Sequence, residues 1–232
     1  MPAPFLSVII PALNEGAQIR AWLESLQSLR SQGAALILVD GGSSDDTAEQ
    51  ARPLLDRLIV SPRGRALQLN AGAVTCTSEV LLFLHADTSL PPSAFEHINT
   101  AIKAGALWGR FDVHIAGTHP LLPVVARLMN WRSRLTGIAT GDQAIFVRRV
   151  VFQQLGGYPE LPVMEDIALS AKLKRIAAPA CLRHCVTTSG RRWEKHGVVR
   201  TILLMWRLRA EFFFGADPEQ LAIRYGYTPR QR

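Results

Sequence analysis

A histidine and an aspartate follow an apolar run in the first half of the sequence. Residues 80–84 read VLLFL, and His85-Ala86-Asp87-Thr88 comes directly after them. Because side chains alternate along a strand, His85 and Asp87 would point the same way at its end. An imidazole and a carboxylate in that arrangement indicate a metal or substrate site, although a polar turn after a buried strand fits the pair equally well.

Two earlier apolar runs also end in polar residues. Residues 6–11 lead to Asn14 and Glu15, and residues 35–39 lead to Asp40. Open parallel sheets bind ligands beyond the carboxyl ends of their strands, so the three polar ends predict one site. PALNEG after the first run lacks the glycines of a dinucleotide-binding loop, and the sequence contains no P-loop.

The chemistry of this predicted rim favours a nucleotide ligand. Asp40 is placed to accept hydrogen bonds from a base or a ribose. Asp87, with or without His85, can hold a divalent cation against a diphosphate, because hard cations prefer oxygen ligands. The residues therefore predict a nucleoside diphosphate bound through a metal ion.

The elements that must position these residues alternate between short apolar runs and helical periodicity. This order indicates right-handed βαβ units and a parallel sheet covered on both faces. We expect strands over 6–11, 35–39, 58–60 and 79–84, and helices over 16–31, 44–55 and 65–76. The regularity loosens after Pro92, where we expect helices over 93–104, 165–176 and 194–214 and strands over 107–116 and 181–188.

Composition indicates one globular domain. The chain has 232 residues, of which 48% are hydrophobic and 19% charged. It begins without a basic signal-peptide region and has no apolar run of membrane-spanning length, and its three cysteines make no even disulfide framework. We therefore expect a single cytoplasmic domain over 1–232, with a nucleotide-binding half over about 1–105 and an acceptor-binding, C-terminal helical half over about 106–232.

The charge is unevenly distributed. Residues 1–100 carry 6 Lys/Arg against 10 Asp/Glu, whereas residues 101–232 carry 20 against 9. The sequence has no helix-turn-helix, zinc-finger or aromatic-basic RNA motif, which argues against nucleic acid as a partner. Segments 120–138 and 198–214 combine arginines with Trp131, Trp206 and Phe212, which predicts peripheral contact with an anionic membrane at its inner face. Core-facing amphipathic helices are the alternative.

Six motifs in order resemble the family 2 glycosyltransferases. They read SVIIPALNE, VDGGSSDDT, GRALQLNAGA, LLFLHADT, GDQAIFVRR and MEDIALSAKLKR, and the resemblance covers about residues 5–200. The sequence looks closest to a small bacterial branch associated with radical-SAM and selenodomain proteins. The resemblance implies a GT-A fold of the α/β class, a Rossmann-like and mostly parallel sheet flanked by helices, with an irregular basic C-terminal acceptor lobe.

The resemblance also implies roles for individual residues. The nucleotide sugar would contact Pro11, Ala12, Asn14, Glu15, Asp40, Arg65, Asn70, Ala86 and Asp87. His85-Ala86-Asp87 stands where the family has Asp-x-Asp, so Asp87, with His85, would hold Mn²⁺ or Mg²⁺. Asp166 of the Glu165-Asp166 pair would be the catalytic base, and the acceptor and diphosphate would meet Gly141, Asp142, Gln143, Arg191 and Trp193.

One departure from the family pattern leaves the role of His85 open. Imidazole suits Mn²⁺ better than Mg²⁺, and loss of a carboxylate weakens a site for a hard cation. A metal ligand and a sugar-contacting or supporting side chain are equally compatible with the histidine. Glu165 and Asp166 could also simply complement a helix dipole.

The expected function is inverting, metal-assisted transfer of a sugar from a UDP- or GDP-linked donor to an acceptor hydroxyl, with a lipid-linked acceptor as one option. Two alternatives stand beside it. One is a nucleotide-binding or scaffold protein of the same fold without transferase activity. The other is a nucleotidyltransferase, although PALNEG lacks the glycine-rich, basic loop typical of that class.

Overall fold

Eight strands form one sheet in the computed structural model, which describes residues 3–227. They are β1 (Leu6–Ala12), β2 (Ala35–Asp40), β3 (Arg57–Val60), β4 (Val80–Phe83), β5 (Thr88–Ser89), β6 (Trp108–Ala116), β7 (Phe146–Arg148) and β8 (Ala180–Ser189). Their order across the sheet is β3-β2-β1-β4-β7-β6-β8-β5. The first four strands pair in parallel, as expected for βαβ units.

Eleven helices accompany the sheet within the same range. They are α1 (Gly16–Ser25), α2 (Gln27–Ser31), α3 (Thr47–Ala51), α4 (Arg65–Val74), α5 (Ala94–Lys103), α6 (Leu122–Thr136), α7 (Arg149–Gln154), α8 (Glu165–Leu173), α9 (Arg191–His196), α10 (Val198–Phe213) and α11 (Pro218–Tyr225). The α/β prediction, with a mostly parallel sheet flanked by helices, is confirmed.

The central strands are mostly apolar on both faces because both faces of the sheet are covered. Along β1, Val8 and Ile10 belong to one core cluster together with Leu23 of α1. Ile9 belongs to the opposite cluster together with Leu69 of α4. A strand buried on both sides has no polar face, which explains why β1 shows no alternation in sequence.

The second half of the sheet mixes directions. Strand β7 runs antiparallel to both β4 and β6, whereas β6 and β8 are parallel with a register shift between Phe111 and Asp112. Strand β5 pairs antiparallel with β8. The insertion of β7 between β4 and β6 joins the parallel first part of the sheet to β6 and β8 in one continuous sheet.

Several predicted helices are shorter than the periodicity suggested. The helix expected over 44–55 is α3 followed by a 3₁₀ turn over Arg52–Leu54, because Pro53 cannot continue an α-helical hydrogen-bond ladder. The helix expected over 194–214 divides into α9 and α10 at Gly197, whose φ is 82°. The helix expected over 165–176 ends at Leu173, and the one over 16–31 is split into α1 and α2.

Helices α6 and α10 present apolar side chains to solvent. Trp131 is 62% exposed and Trp206 is 63% exposed. Their helices also expose Val124, Leu128, Leu135, Val199, Leu203 and Phe213. Phe212, predicted to lie at the surface with the tryptophans, instead packs against the small cluster around Leu208 and Leu221. Over residues 3–227, no helix combines the length and the apolar character that crossing a bilayer demands.

Candidate functional site

A cleft of about 430 Å³ opens beyond the carboxyl ends of β1 and β4. Its size lies in the range of small-molecule sites. The strand ends contribute Pro11, Ala12, Glu15, His85, Ala86 and Asp87, and α4 contributes Arg65. The polar ends of β1 and β4 therefore meet at one cleft, as predicted for these two strands.

A buried glutamine holds the floor of this cleft. Nε2 of Gln68 donates to the carbonyl of Ala12 at 2.9 Å and to the carbonyl of Val39 at 2.8 Å. These carbonyls lie near the ends of β1 and β2, and that of Ala12 also accepts from the backbone N–H of Gly41 at 2.9 Å, so Gln68 adds to the bonds of the sheet. Gln68 thus fixes the two strand ends relative to each other and to α4.

Asp40 and Asn14 lie next to the cleft in a network of loop hydrogen bonds. Asp40 is buried and accepts from the backbone N–H of Ser43 at 3.1 Å. The hydroxyl of Ser43 accepts from the N–H of Asn14 at 2.9 Å, and Asn14 Oδ1 accepts from the N–H of Ser44. Asn14 has a φ of 55°, so these bonds hold a conformation that few non-glycine residues adopt. Neither Asp40 nor Asn14 lines the cleft wall.

His85 contacts Asp142 across the cleft. His85 Nδ1 lies 3.4 Å from Asp142 Oδ1, and both residues line the cavity together with Asp87. Burial pushes the pKa of Asp142 upward, but the hydrogen bond and charge of His85 outweigh it, with help from Arg65 and Arg209. The pKa of Asp142 therefore lies below its usual value.

The donor atoms at this point fit a divalent cation only in part. Within residues 3–227, no group of three or more His, Cys, Asp and Glu side chains is arranged to hold a metal ion. Asp87 lines the cleft and accepts one hydrogen bond, from the hydroxyl of Thr88 at 3.3 Å. His85 is oriented by Asp142, as metal-binding histidines are by a carboxylate. A cation here would need further oxygen ligands from the bound molecule.

Glu165 is buried at the start of α8. Met164, just before it, has a φ of 65° and packs in the cluster of Leu208 and Leu221, so tertiary packing fixes the entry to the helix. Glu165 Oε1 lies 3.4 Å from Arg65 Nη1. Burial raises the pKa of Glu165, and the positive charge of Arg65 offsets only part of this shift.

Asp166 is anchored through both of its oxygens. Oδ2 accepts from the backbone N–H of Gly141 at 2.7 Å, and Oδ1 accepts from the N–H of Ile167 at 2.7 Å. Asp166 does not line the cavity itself; it lies behind Gly141, next to Asp142, which does. The predicted acidic pair and the predicted acceptor loop are therefore brought together.

Three predicted site residues have other contacts. The side chain of Asn70 bonds the backbone N–H and C=O of Tyr158, each at 2.9 Å, and so holds that loop. Gln143 is fully buried, and its Oε1 accepts from the N–H of Thr140. Arg191 is exposed and bonds Ser189. The structure places none of the three in the cavity wall.

The C-terminal helices supply further residues of the cleft wall. Arg192 lines the cavity next to the predicted Trp193, and its guanidinium carbon lies 3.6 Å from the ring centroid of Tyr225. Tyr225, Tyr227 and Met205 also line it. In the sequence, only the position of Arg192 next to Trp193 indicates that it lies near the cleft. Its stacking on Tyr225, 33 residues later, has no signal in the local sequence.

The chain belongs to glycosyl transferase family 2, whose family model matches residues 7–155. A PGL/p-HBAD biosynthesis glycosyltransferase from Mycobacterium tuberculosis is 33% identical over 173 residues, covering 68% of this chain. This chain spans 64% of the length of that relative. The O-antigen chain rhamnosyltransferase WbaN of Salmonella anatum is 27% identical over 220 residues, covering 81% of this chain and 66% of WbaN.

Solved structures share the fold. Residues 1–349 of S. aureus TarS in complex with UDP align with a TM-score of 0.64 and 19% identity, over 79% of this chain and 60% of that one. The mannosyltransferase PcManGT from Pyrobaculum calidifontis, in complex with GDP-Man and Mn²⁺, aligns with a TM-score of 0.63 and 22% identity. The alignment covers 90% of this chain and 61% of PcManGT. The sheet and its flanking helices thus form the GT-A fold, as the sequence motifs implied. The narrower placement in a radical-SAM-associated branch stays a prediction.

The burial of Glu165 predicts a specific pH dependence of stability. Its raised pKa means that the folded chain binds the proton more tightly than the unfolded chain does. The free energy of unfolding should therefore fall as pH rises from the ordinary range of a glutamate through the raised pKa. In Glu165→Gln this fall should be absent, which urea unfolding at a series of pH values between about 4 and 8 can measure.

The exposed Glu160→Gln is the matched control, because it removes the same charge from the same segment and should leave the pH profile unchanged. If the free energies of unfolding of the wild type and Glu165→Gln changed with pH in parallel, the carboxyl of Glu165 would have the same pKa in the folded and the unfolded chain.

Proposed function

We propose that this chain transfers a sugar from a nucleoside-diphosphate donor to an acceptor hydroxyl with inversion at the anomeric carbon. The observation that carries the proposal is the arrangement of acids around one cleft. Asp87 and His85 lie at the end of β4, and Asp142 lies opposite, with Asp166 directly behind its loop. This arrangement supports Asp87 as the carboxylate that would hold a cation and Asp166, behind the opposite wall, as the base.

The donor would enter across the ends of β1 and β2. Two of the structural neighbours were crystallised with UDP and with GDP-Man, which supports a nucleotide-linked donor for this chain. Pro11, Ala12 and Glu15 supply the wall at β1. Asp40 would help to hold the loop that contacts the nucleotide base. Its carboxylate accepts from the N–H of Ser43, whose hydroxyl accepts from the N–H of Asn14.

The diphosphate would lie near Asp87, with Arg65 and Arg192 on the cavity wall as counter-charges. Asp87 and His85 would hold a Mn²⁺ or Mg²⁺ ion, which would supply charge stabilisation to the departing diphosphate. Arginine side chains placed where negative charge grows lower the barrier further. The PcManGT structure contains Mn²⁺, which supports a cation in this chain.

The reaction would be a single displacement. Asp166 takes the proton of the acceptor hydroxyl, and that oxygen forms a bond to the anomeric carbon. The bond from this carbon to the diphosphate oxygen breaks on the opposite face, and its electron pair leaves with the nucleotide. The two backbone N–H bonds to Asp166 orient the carboxylate for this role.

A surface formed by α6 and α10 would place the chain on an anionic membrane. Val124, Leu128 and Trp131 share one exposed side of α6. Exposed Arg127 and Arg200 on these helices supply charge complementary to acidic lipid headgroups. We propose the inner face of the membrane as the location, and an acceptor carried by a lipid is consistent with it.

The metal proposal predicts cation-dependent nucleotide binding. UDP or GDP should bind more tightly in Mn²⁺ than in EDTA, because Asp87 would hold the cation and the cation would offset the charge of the diphosphate. Asp87→Ala should remove the difference, and isothermal titration can measure it. His85→Asp should preserve or improve binding with Mg²⁺ if His85 is a ligand. Equal affinity of the wild type in EDTA and in Mn²⁺ would refute the cation site.

The base proposal predicts that Asp166→Asn folds normally and binds nucleotide as the wild type does, while turnover falls by about two to four orders of magnitude. Turnover is measured as UDP or GDP release from a donor sugar. Asp142→Asn is the matched control. It neutralises the neighbouring carboxylate, and its turnover should fall less than that of Asp166→Asn. Near-normal turnover of Asp166→Asn with a lowered melting temperature would instead assign Asp166 to helix capping. Nucleotide binding without any donor turnover by the wild type would favour the scaffold alternative.

The membrane proposal predicts salt-sensitive binding to acidic vesicles. The wild type should sediment with phosphatidylglycerol vesicles at low salt and be released as ionic strength rises. Trp131→Ala combined with Trp206→Ala should weaken the binding at least tenfold, since both indoles would sit at the interface. Val74→Ala, which removes an exposed apolar residue from α4, should have no effect. A wild type that ignores acidic vesicles at low salt would exclude this surface.

A further inference from the structure

A second cavity of about 360 Å³ lies next to the cleft. Gly64, Pro162 and Tyr227 line both cavities, so the two are adjacent along a shared boundary. The guanidinium carbon of Arg63, another residue of the cleft wall, lies 5.3 Å from the ring centroid of Tyr227. Because the two cavities meet at the same three residues, they are placed for one molecule to occupy both.

The wall of the second cavity is mostly apolar. Helix α4, the segment that leads into α8, and α11 contribute its apolar residues, which are Ala66, Leu67, Leu161, Pro162, Ala222 and Ile223. Ile223 is 55% exposed, and Leu67 and Leu161 are half-buried. These side chains keep apolar surface in contact with water, and a ligand that covered this surface would gain from removing it from water.

The charged groups of this cavity are acidic. Glu160 and Glu219 are exposed, and over residues 3–227 no lysine, arginine or histidine lines the wall. The cleft differs, because Arg65 and Arg192 lie in its wall. A diphosphate or a carboxylate would meet like charges in the second cavity, and a sugar would lose hydrogen bonds to water for few replacements. The chemistry of the wall therefore selects an uncharged, apolar group.

We propose that this cavity is a subsite for an uncharged, apolar ring system of the acceptor, whose hydroxyl enters the cleft past Tyr227. The volume is that of a small-molecule site, which suits a compact ring system better than a long chain. The donor diphosphate stays in the cleft, where the arginines are. The role in acceptor binding rests on the proposed sugar transfer, whereas the affinity for an uncharged ring does not.

2-Naphthol is the first probe, because it is an apolar ring system that is uncharged near neutral pH. It should bind the 232-residue chain in an isothermal titration, and saturating UDP should not displace it. Leu67→Gln and Ile223→Gln should each weaken the binding by at least about fivefold, since each replaces an apolar wall by an amide. Val74→Gln should leave it unchanged, because this 83% exposed residue of α4 lines neither cavity.

2-Naphthoate is the matched probe, because it carries the same ring system with a negative charge. It should bind at least about tenfold more weakly than 2-naphthol, since its carboxylate would be buried among apolar groups and would face two acids. Glu160→Gln combined with Glu219→Gln should raise the affinity for 2-naphthoate and leave the affinity for 2-naphthol unchanged. Ile223→Gln, at an exposed position, tests the cavity if Leu67→Gln fails to fold.

Four results of these titrations would overturn the proposal. The wild type could fail to bind 2-naphthol, or UDP could displace 2-naphthol, which would place the ring in the cleft. Leu67→Gln and Ile223→Gln could both bind it like the wild type, or 2-naphthoate could bind as tightly as 2-naphthol. UDP affinity measured for the same variants should equal that of the wild type, because the donor does not use this cavity.

The acceptor role has a test of its own. 2-(2-Naphthyl)ethanol should speed up the release of UDP or GDP from a donor sugar by the wild type, and the gain should be smaller in Leu67→Gln. An enzyme that releases nucleotide and binds 2-naphthol, but shows no gain, would overturn the acceptor role. A wild type that binds 2-naphthol and releases no nucleotide from any donor would instead refute sugar transfer, so the two failures are distinguishable.

Discussion

The cleft depends on the hydrogen bonds that one buried amide makes to two strand ends. Gln68 of α4 donates to the carbonyl of Ala12 in β1 and to the carbonyl of Val39 in β2, close to the point where both strands end. Ala12 and Asp40 are opposite each other in the same pair of strands. A shift of one strand would take an acceptor away from this buried amide, so the positions of Glu15, Asp40 and α4 are coupled.

On the opposite side of the cleft, Asp142 and Asp166 are held by contacts outside the sheet. No strand ladder positions Asp142 and Asp166. Instead, the backbone N–H of Gly141 bonds Asp166, and the imidazole of His85 contacts Asp142. Arg65 reaches the same region from α4 through its contact with Glu165, 100 residues away in sequence. The two halves are therefore joined by charge as well as by the continuous sheet, and the acids on this wall are ordered by groups from both.

Much of the fold and part of the site could be predicted from the sequence. Apolar runs that end in Glu15, Asp40 and His85 were enough to place the strands and the rim, because strands buried on both faces have a distinctive composition. The contacts of Asn70 and Gln143 could not be predicted, since motif position does not reveal whether an amide faces a ligand or a loop backbone. The cleft residues from α10 and α11 were missed for a related reason: their approach depends on the turn at Gly197 and on packing around Leu208, which are properties of the tertiary structure.

Gly141 and His85 constrain each other as sequence positions. A Cβ added to Gly141 would lie 2.4 Å from the imidazole of His85, well inside contact distance. A chain that gained a side chain at 141 would first have to lose or move the ring at 85, and a smaller residue at 85 would free that volume. The backbone at 141 and the imidazole at 85 therefore compete for one volume, so the identity of either residue limits which side chains fit at the other.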